Sequence, residues 1–335
     1  MSHPRVLCLG EILFDNLANQ PGRSLEAVES WTPYPGGAPA NVACGLVKLG
    51  TSAGFIGCVG EDAAGNALVQ LLQEVGVDSS GVQRYPSAPT RSVYVVRSER
   101  GDRSFAGFSD RATPEAQRPD LFADAYLQAD RLSEAAFENA DFLVLGTLEL
   151  AYPQSAEAIE RALSLAERHY VKVLLDVNWR PMFWPDPAVA IGRIQALLKR
   201  VDFLKLSEEE ATWLFDTTDP GAIDHRLGDL EGVLVTAGEH GCAYCLGDNE
   251  GTFPVFPVES EDTTGAGDSF VAGFLHQVCQ HGLQFLSDPA QARQVVAYAS
   301  AAGALTTTRA GAIAAQPTAQ EVEAFLYLHA NLVAS

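Results

Sequence analysis

The chain has 335 residues, 47% of them hydrophobic and 19% charged, which is enough apolar material for the core of one large or two smaller α/β domains. Its formal net charge of −21 makes nucleic acid and anionic membrane surfaces poor partners. No apolar run approaches the length of a membrane span and the first residues do not read as a signal peptide, so we expect a cytoplasmic protein.

The first segment that suggests chemistry is Gly-Gly-Ala-Pro-Ala-Asn at 36–41. Apolar residues repeat at i, i+4 and i+7 from Val42 to Leu49, which predicts a helix that begins near Ala38. Asn41 then lies in the first turn, close to the glycine pair. A close backbone approach and one amide side chain suit a hydroxylated ligand. A glycine turn before a packed helix explains this segment equally well when it is considered alone.

Residues 92–97 and 103–108 flank the turn 99–102 in the pattern of a β-hairpin. Together with the irregular region 12–35, this hairpin could form a small lid, with insertions at about 12–35 and 89–111. A lid excludes water from a reaction. A simple sheet extension or a dimer contact explains the same pattern, and both can hold together.

From about position 140, short apolar runs alternate with amphipathic stretches, and no linker or internal repeat interrupts a single domain over 1–335. The alternation predicts a mostly parallel sheet covered on both faces, with ligands beyond the carboxyl ends of its strands. The predicted strands are 142–146, 171–176, 203–206 and 233–236, and the predicted helices are 155–170 and 188–201. Polar residues that follow these strands are candidates by position, although helix capping explains any one of them as well: Glu149, Asp176, Asn178, Arg180, Ser207 and Glu210.

Six cysteines are scattered along the chain. Cys242 and Cys245 have the spacing of a zinc or redox pair, but no second pair accompanies them. In a strand, a three-residue offset points the two thiols to opposite faces. We therefore predict buried free thiols in a reducing compartment, and no zinc site.

The most informative segment is Asp-Thr-Thr-Gly-Ala-Gly-Asp-Ser-Phe at 262–270. Two glycines and the apolar run that follows predict a tight turn opening a buried helix, whose free N–H groups form an anion cradle. Asp268 would repel a bound phosphate, but a transfer site needs a base beside the phosphate. The segment therefore favours phosphoryl transfer to a hydroxyl group. The plainer alternative is that Asp268 only caps the helix.

Together, the two glycine segments resemble the signatures of the ribokinase-like (pfkB) carbohydrate kinases, and they occur in that family's order. The resemblance implies a three-layer α/β/α domain with a mostly parallel central sheet and a small β lid. It covers nearly the whole chain and includes 10–15, 57–65 and 235–241. The segments that look most like fructokinases of the plant and bacterial type are 36–41, 176–184 and 205–210.

The resemblance also implies roles for individual residues in an ATP-dependent sugar kinase. Asp268 would be the general base for the sugar hydroxyl. The transferring phosphoryl group would be stabilised by the amides of Gly265, Ala266 and Gly267. The sugar hydroxyls would be held by Asp15, Gly36, Gly37, Asn41 and, as a weaker candidate, Glu149. Mg²⁺ and the phosphates would be organised by Asn178, Arg180, Ser207 and, through water, Glu210. The nucleotide groove would be lined by Thr236, Gly238 and Gly241.

Three departures from the family pattern bear on these roles. Ser207 stands where many members have asparagine, which shortens the reach toward metal-bound water. The arginine that plant-type fructokinases place near Ser109 is absent, so Arg111 or Arg103 is the candidate for that lid contact. Asp262 and Thr264, with the backbone of 306–311, fall where relatives bind a monovalent cation, which makes K⁺ a candidate cofactor.

The leading hypothesis is an ATP- and Mg²⁺-dependent kinase that converts D-fructose to fructose 6-phosphate. Ribose, 2-keto-3-deoxygluconate and nucleosides are alternative acceptors, because proteins of one fold can act on many different alcohol substrates. A catalytically silent relative that acts as a regulatory partner is a hypothesis of another class, as is a sugar-binding module without transfer. The complete Gly-Ala-Gly-Asp turn argues against the silent relative. Homodimerisation through the lid is an expectation from the family.

Overall fold

The computed structural model of the protein describes residues 3–98, 103–109, 113, 115–228 and 230–334. Within these ranges, the strands are β1 Val6–Leu9, β2 Leu13–Ala18, β3 Trp31–Gly36, β4 Ala53–Gly60, β5 Asp78–Tyr85, β6 Ser92–Arg97, β7 Arg103–Gly107, β8 Phe142–Leu145, β9 Lys172–Asp176, β10 Phe203–Ser207, β11 Gly232–Thr236, β12 Cys242–Leu246 and β13 Asn249–Phe253. The α-helices are α1 Ala38–Leu49, α2 Ala63–Val75, α3 Glu134–Phe137, α4 Pro153–Arg168, α5 Ala190–Leu197, α6 Glu208–Phe215, α7 Pro220–Leu227, α8 Ala266–His281, α9 Pro289–Thr307, α10 Ala319–Leu328 and α11 Ala330–Ala334.

The central sheet has nine strands in the order β13-β12-β11-β10-β9-β8-β1-β4-β5. Neighbouring strands from β11 to β5 run parallel, and β12 and β13 add an antiparallel edge. The four strands predicted from the β–α alternation are confirmed as β8 to β11. Their carboxyl ends meet at one edge of the sheet, where ligands bind in this architecture.

Helices cover both faces of this sheet. In β1, Val6 and Cys8 belong to a core formed with α1, α2, α8 and α9. Leu7 and Leu9 belong to a second core formed with α4, α5, α6 and α7. Because alternate residues of a strand point to opposite faces, each buried parallel strand serves both cores. The architecture is therefore a three-layer α/β/α sandwich.

A separate sheet of four strands has the order β3-β2-β6-β7. The antiparallel pairing of β6 with β7 confirms the predicted hairpin, whose turn 99–102 lies outside the described residues. The prediction that 12–35 is irregular is wrong, because β2 pairs with β3 and also, in parallel, with β6. The prolines of β3, Pro33 and Pro35, are tolerated because β3 is an edge strand.

The six cysteines lie inside the fold as free thiols. All six are buried and none forms a disulfide bond. Burial raises the pKa of Cys242 to about 12, so this thiol stays protonated at neutral pH. Over the described ranges, no three or more His, Cys, Asp or Glu side chains are grouped so that they could hold a metal ion. A separate finding is that none of the helices in these ranges has both the length and the apolar character needed to span a bilayer.

The carboxylate of Asp62 joins the central sheet to the second sheet. It caps α2 by accepting a hydrogen bond from Gly65 N at 2.7 Å. It also accepts hydrogen bonds from Thr90 N at 2.8 Å and Thr90 Oγ1 at 2.7 Å. Thr90 Oγ1 in turn accepts from Gly60 N at the end of β4. This network fixes the point at which the chain leaves the main domain for β6.

We predict that Asp62→Ala lowers the free energy of unfolding by about 1 to 2 kcal/mol, because it removes a helix cap and two further hydrogen bonds. Urea denaturation measures this change. Although burial raises the pKa of Asp62, its hydrogen bonds from Thr90 and Gly65 bring the pKa below the ordinary value. The contribution is therefore present above the pKa of an unfolded aspartate and is lost as the pH falls through the folded value. Asp78→Ala, at an exposed position, is the control; equal losses in the two variants would contradict this account.

Candidate active site

The turn before α8 has the predicted form. Gly265 occupies the N-cap position with φ +77°, in the left-handed region that favours glycine. A Cβ at position 265 would lie 2.9 Å from the Cβ of Ala312, so packing also requires glycine there. Asp268 lies inside the first turn of α8 and is not its N-cap. The interpretation of Asp268 as a simple helix cap is therefore wrong.

Asp262 fastens this turn to the loop that follows α9. Its Oδ2 accepts a hydrogen bond from Gly311 N at 2.8 Å, and its Oδ1 accepts from Thr264 N at 3.1 Å and Thr264 Oγ1 at 2.7 Å. The backbone N–H of Asp262 donates to Thr307 O. The structure thus places Asp262 and Thr264 beside the predicted 306–311 segment. Their role as ligands of a monovalent cation stays a prediction.

A hydrogen bond joins Asp268 to Asn41, although the two residues are 227 positions apart in the sequence. Asn41 Nδ2 donates to Asp268 Oδ2 at 2.7 Å. Burial raises the pKa of Asp268 above its ordinary value, while the hydrogen bond from Asn41 and the charges of Lys205 and Arg180 oppose that rise. A carboxylate with a raised pKa is a better proton acceptor near neutral pH than an ordinary aspartate.

The predicted sugar-binding segment lies beside the same hydrogen bond. A Cβ at Gly36 would lie 2.6 Å from Asp15 Oδ2, and a Cβ at Gly37, which has φ +107°, would lie 2.5 Å from Glu11 O. The glycine pair therefore lets the backbone pass close to β2 and to the end of β1 before α1 begins. Asn41 Oδ1 is buried and has no hydrogen-bond partner among the described residues. It can accept a hydrogen bond from a bound hydroxyl group.

Two buried glutamates lie behind this segment. Glu11 Oε1 accepts a hydrogen bond from Ala38 N at 2.8 Å, and burial raises the pKa of Glu11 to about 7. Burial and the neighbouring charge of Glu11 raise the pKa of Glu149 well above its usual range. Glu149 is 1% exposed, deeper than a direct sugar contact would suggest. The sequence analysis missed Glu11, although an acidic residue directly after a buried strand was an available signal.

A buried ion pair lies on the other side of the turn. Lys205 Nζ donates to Asp176 Oδ1 at 3.0 Å and to Asp176 Oδ2 at 3.2 Å. Burial raises the pKa of Asp176 to about 6 even though Lys205 opposes the rise. A Cβ at Gly267 would lie 3.1 Å from Lys205 Nζ, so the ammonium group lies close to the turn that begins α8. No role was predicted for Lys205, although a charged residue within a buried strand was the signal that could have identified it.

Ser207 and Glu210 form a capping box at the start of α6. Ser207 Oγ accepts from Glu210 N at 3.2 Å, and Glu210 Oε2 accepts from Ser207 N at 2.8 Å. Glu210 Oε1 accepts from Trp179 N at 2.6 Å. Both carboxyl oxygens thus bind backbone amides already, and each retains a lone pair for metal-bound water. This donor set fits a contact with Mg²⁺ through water better than direct ligation.

Asn178 and Arg180 follow β9 at the same edge of the sheet. Asn178 has φ +40°, in the left-handed region that asparagine adopts more readily than most residues other than glycine. Both residues line a cavity of about 10 Å³ together with Glu11 and Trp184. That volume holds about one water molecule. Their contacts with phosphate groups stay a prediction.

The residues predicted to bind the nucleotide line a groove of about 590 Å³. Thr236, Gly238 and Gly241 form part of its wall, and Ala266 and Gly267 of the catalytic turn form another part. Much of the remaining wall is apolar and includes Pro254, Val255, Phe256, Pro257, Val258, Phe270 and Ala304. Apolar walls with a few polar groups are typical of sites for flat aromatic ligands. A ligand in this groove would have its polar end at the turn.

The described geometry assembles the parts that phosphoryl transfer requires. The partly buried carboxylate of Asp268 stands beside the backbone amides at a helix N-terminus, which attract anions. Residues of this turn form part of the wall of the large groove. Asn41 of the glycine segment donates a hydrogen bond to the same carboxylate. Arg111, the predicted lid contact, lies outside the described residues, and nothing is described of the Arg103 side chain.

The comparisons with known proteins agree with this geometry. The sequence profile of the pfkB family carbohydrate kinases matches residues 3–319. The chain is 33% identical over 323 residues to probable fructokinase-5 of Arabidopsis thaliana, covering 96% of each protein. The structure superposes on fructokinase with bound ATP from Xylella fastidiosa with a TM-score of 0.85 and 29% identity, covering 97% of this chain and 98% of that one. For fructokinase from Vibrio cholerae O395 with bound fructose, ADP and calcium ion, the TM-score is 0.82 and the identity 27%, covering 97% and 100%.

We predict that Asn41→Ala raises the pKa of Asp268 by about one unit, because the carboxylate loses a hydrogen bond that favours its charged form. A ¹³C NMR titration of aspartate carboxyl groups measures the change, with Asp268→Asn identifying the resonance. Asn66→Ala, on the exposed part of α2, is the control. An unchanged midpoint in Asn41→Ala would contradict the contact between the two side chains.

Proposed function

Because this chain belongs to the pfkB family of carbohydrate kinases, we propose that it transfers the γ-phosphoryl group of ATP to a hydroxyl group of D-fructose. The products are fructose 6-phosphate and ADP. The choice of fructose is supported by the names of the relatives and of the structural neighbours. The observation that carries the proposed mechanism is the position of Asp268, between the predicted sugar-binding segment and the backbone amides of the turn.

In the proposed reaction, Asp268 takes the proton from the sugar hydroxyl as its oxygen attacks the γ-phosphorus of ATP. A bond forms between that oxygen and phosphorus, the bond from phosphorus to the β–γ bridging oxygen breaks, and ADP leaves with the electron pair. The N–H groups of Gly265, Ala266 and Gly267 donate to the charge on the transferring group. The protonated carboxyl group of Asp268 afterwards releases this proton to solvent.

Mg²⁺ bound with ATP would neutralise part of the charge on the phosphates. Glu210 would orient its water ligands, and Ser207 holds Glu210 in place through the capping box. Asn178 and Arg180 would contribute polar contacts and positive charge at the same edge of the sheet. K⁺ would bind near Asp262 and Thr264, where the backbone of 306–311 offers carbonyl oxygens.

The sugar would bind between the glycine pair and the second sheet. Asp15 reaches over Gly36 from β2, and Asn41 Oδ1 offers a buried acceptor. Glu149 would support the glycine segment from its buried side rather than serve as the principal contact of the sugar. The second sheet would close over the sugar and exclude water, which prevents hydrolysis of ATP. A homodimer formed through this sheet stays a prediction, and light scattering tests it.

We predict that the wild-type protein phosphorylates fructose faster than ribose, 2-keto-3-deoxygluconate or a nucleoside in a coupled ADP-release assay. Asp268→Asn is expected to lower kcat by about 10²- to 10⁴-fold, because the proton acceptor is lost. Its affinity for fructose, measured by calorimetry, stays near that of the wild type. Asp288→Asn, which alters the N-cap of α9 at the end of that helix away from the groove, is the matched control.

The outcomes of this experiment separate the hypotheses. If activity is confined to another sugar, the kinase assignment stands and that sugar replaces fructose as the acceptor. Binding of ATP and sugar without transfer would indicate a silent relative. An Asp268→Asn variant with most of its kcat would contradict the role of Asp268 as the base.

A further inference from the structure

Lys205 is a charged residue in an unusual place. It lies in β10, within the central sheet, between the fully buried Leu204 and Leu206, and is itself only 7% exposed. Removing an ammonium group from water is costly unless it is paired and hydrogen-bonded. Asp176 provides that pairing from the adjacent strand, where it is the residue in register with Lys205. The pair therefore occupies a fixed position at the carboxyl edge of the sheet.

The glycine at position 267 leaves room for Lys205 beside the turn. Gly265 needs glycine for its backbone, because its φ is +77°. Gly267 lies inside α8 and needs no left-handed conformation. What it lacks is a Cβ, and that atom would lie 3.1 Å from Lys205 Nζ. The absent side chain thus admits the ammonium group to the underside of the turn.

The charges around this turn are mostly negative. Asp268, Asp176 and Glu210 all act on Lys205 and raise its pKa, in opposition to the lowering by burial. Lys205 therefore stays protonated among carboxylates, in a chain with a net charge of −21. Arg180 also acts on Asp268, but it is exposed and so is screened by solvent. Lys205, in contrast, is buried and paired with Asp176, so its positive charge has a fixed position beside the turn.

We propose that Lys205 is a positioning residue for the transfer step. Paired with Asp176 and lying beside Gly267, it adds positive charge behind the amides that receive the phosphoryl group. It acts through the turn and does not touch the substrate. This inference rests on the proposed kinase activity and names a further residue on which that activity depends.

The test compares Lys205→Met with Lys172→Met in the fructose phosphorylation assay. Methionine has nearly the length of lysine and carries no charge. Lys172 is the matched control, because it also pairs with acidic residues, Asp202 and Glu231, but at the start of β9, the opposite end of the sheet. We expect Lys205→Met to lower kcat about 10- to 100-fold, with the KM for fructose within about threefold of the wild type. Lys172→Met is expected to keep the wild-type kcat.

A pH profile separates an electrostatic role from a structural one. The charged groups that act with Asp268 are Lys205 from β10, Asp176 from β9, Arg180 after β9 and Glu11 after β1. Removing the positive charge of Lys205 makes the carboxylate of Asp268 less stable. The acid limb of kcat/KM is therefore expected to move to higher pH by about one unit. A substitution that only loosened the structure around the turn would lower kcat without moving the acid limb of kcat/KM.

The double variant Lys205→Met/Asp176→Asn tests the proposal if the single variant does not fold, because it leaves no unpaired charge in the core. Lys205 and Asp176 act on Asp268 with opposite signs, so the acid limb of the double variant is expected to move less than that of the single variant. A folded double variant with the reduced kcat supports the proposal. A folded single variant with wild-type kcat and an unmoved limb, or a folded double variant with wild-type kcat, overturns it while leaving the kinase assignment intact. A wild-type protein that phosphorylates no sugar would instead overturn the proposed function.

Discussion

The hydrogen bond between Asn41 and Asp268 is the contact on which the site depends. It forms because α1 and α8 pack closely, and Gly45 permits this, since a Cβ there would lie 2.9 Å from the Cβ of Ala272. Gln316 supports the arrangement by donating from Nε2 to Asn41 O at 2.7 Å. The bond joins the predicted sugar-binding segment near the start of the chain to the predicted transfer turn near its end. In the proposed mechanism, proton acceptance and phosphoryl binding therefore depend on one contact between two helices.

Electrostatics sets the second constraint, because an acidic protein must accept ATP. In the proposed mechanism the fold meets it with backbone amides at the start of α8 and with Lys205 beneath them. Carboxyl groups at the same edge of the sheet have pKa values raised by burial, to about 7 for Glu11 and about 6 for Asp176. Protonation of some of these groups near neutral pH reduces the repulsion that a phosphate would meet.

Local patterns in the sequence predicted the local parts of this structure. The strands β8 to β11, the start of α1 and the turn before α8 follow from apolar spacing and from glycine chemistry. Strand β3 was missed because it is an edge strand with two prolines, and β2 was missed because Asp15 and Asn16 interrupt its apolar pattern. The pair of Lys205 with Asp176 was missed because it depends on strand register, which no short segment encodes. The network of Asp62 with Thr90 likewise depends on residues 28 positions apart.

The most direct test of this account is a crystal structure of the protein with fructose, Mg²⁺ and a non-hydrolysable ATP analogue. The account predicts that one fructose hydroxyl oxygen lies about 3 Å from a carboxyl oxygen of Asp268. It also predicts that the γ-phosphate faces the N–H groups of Gly265, Ala266 and Gly267. A complex in which Asp268 contacts no sugar oxygen, with the phosphate bound away from the turn, would contradict it.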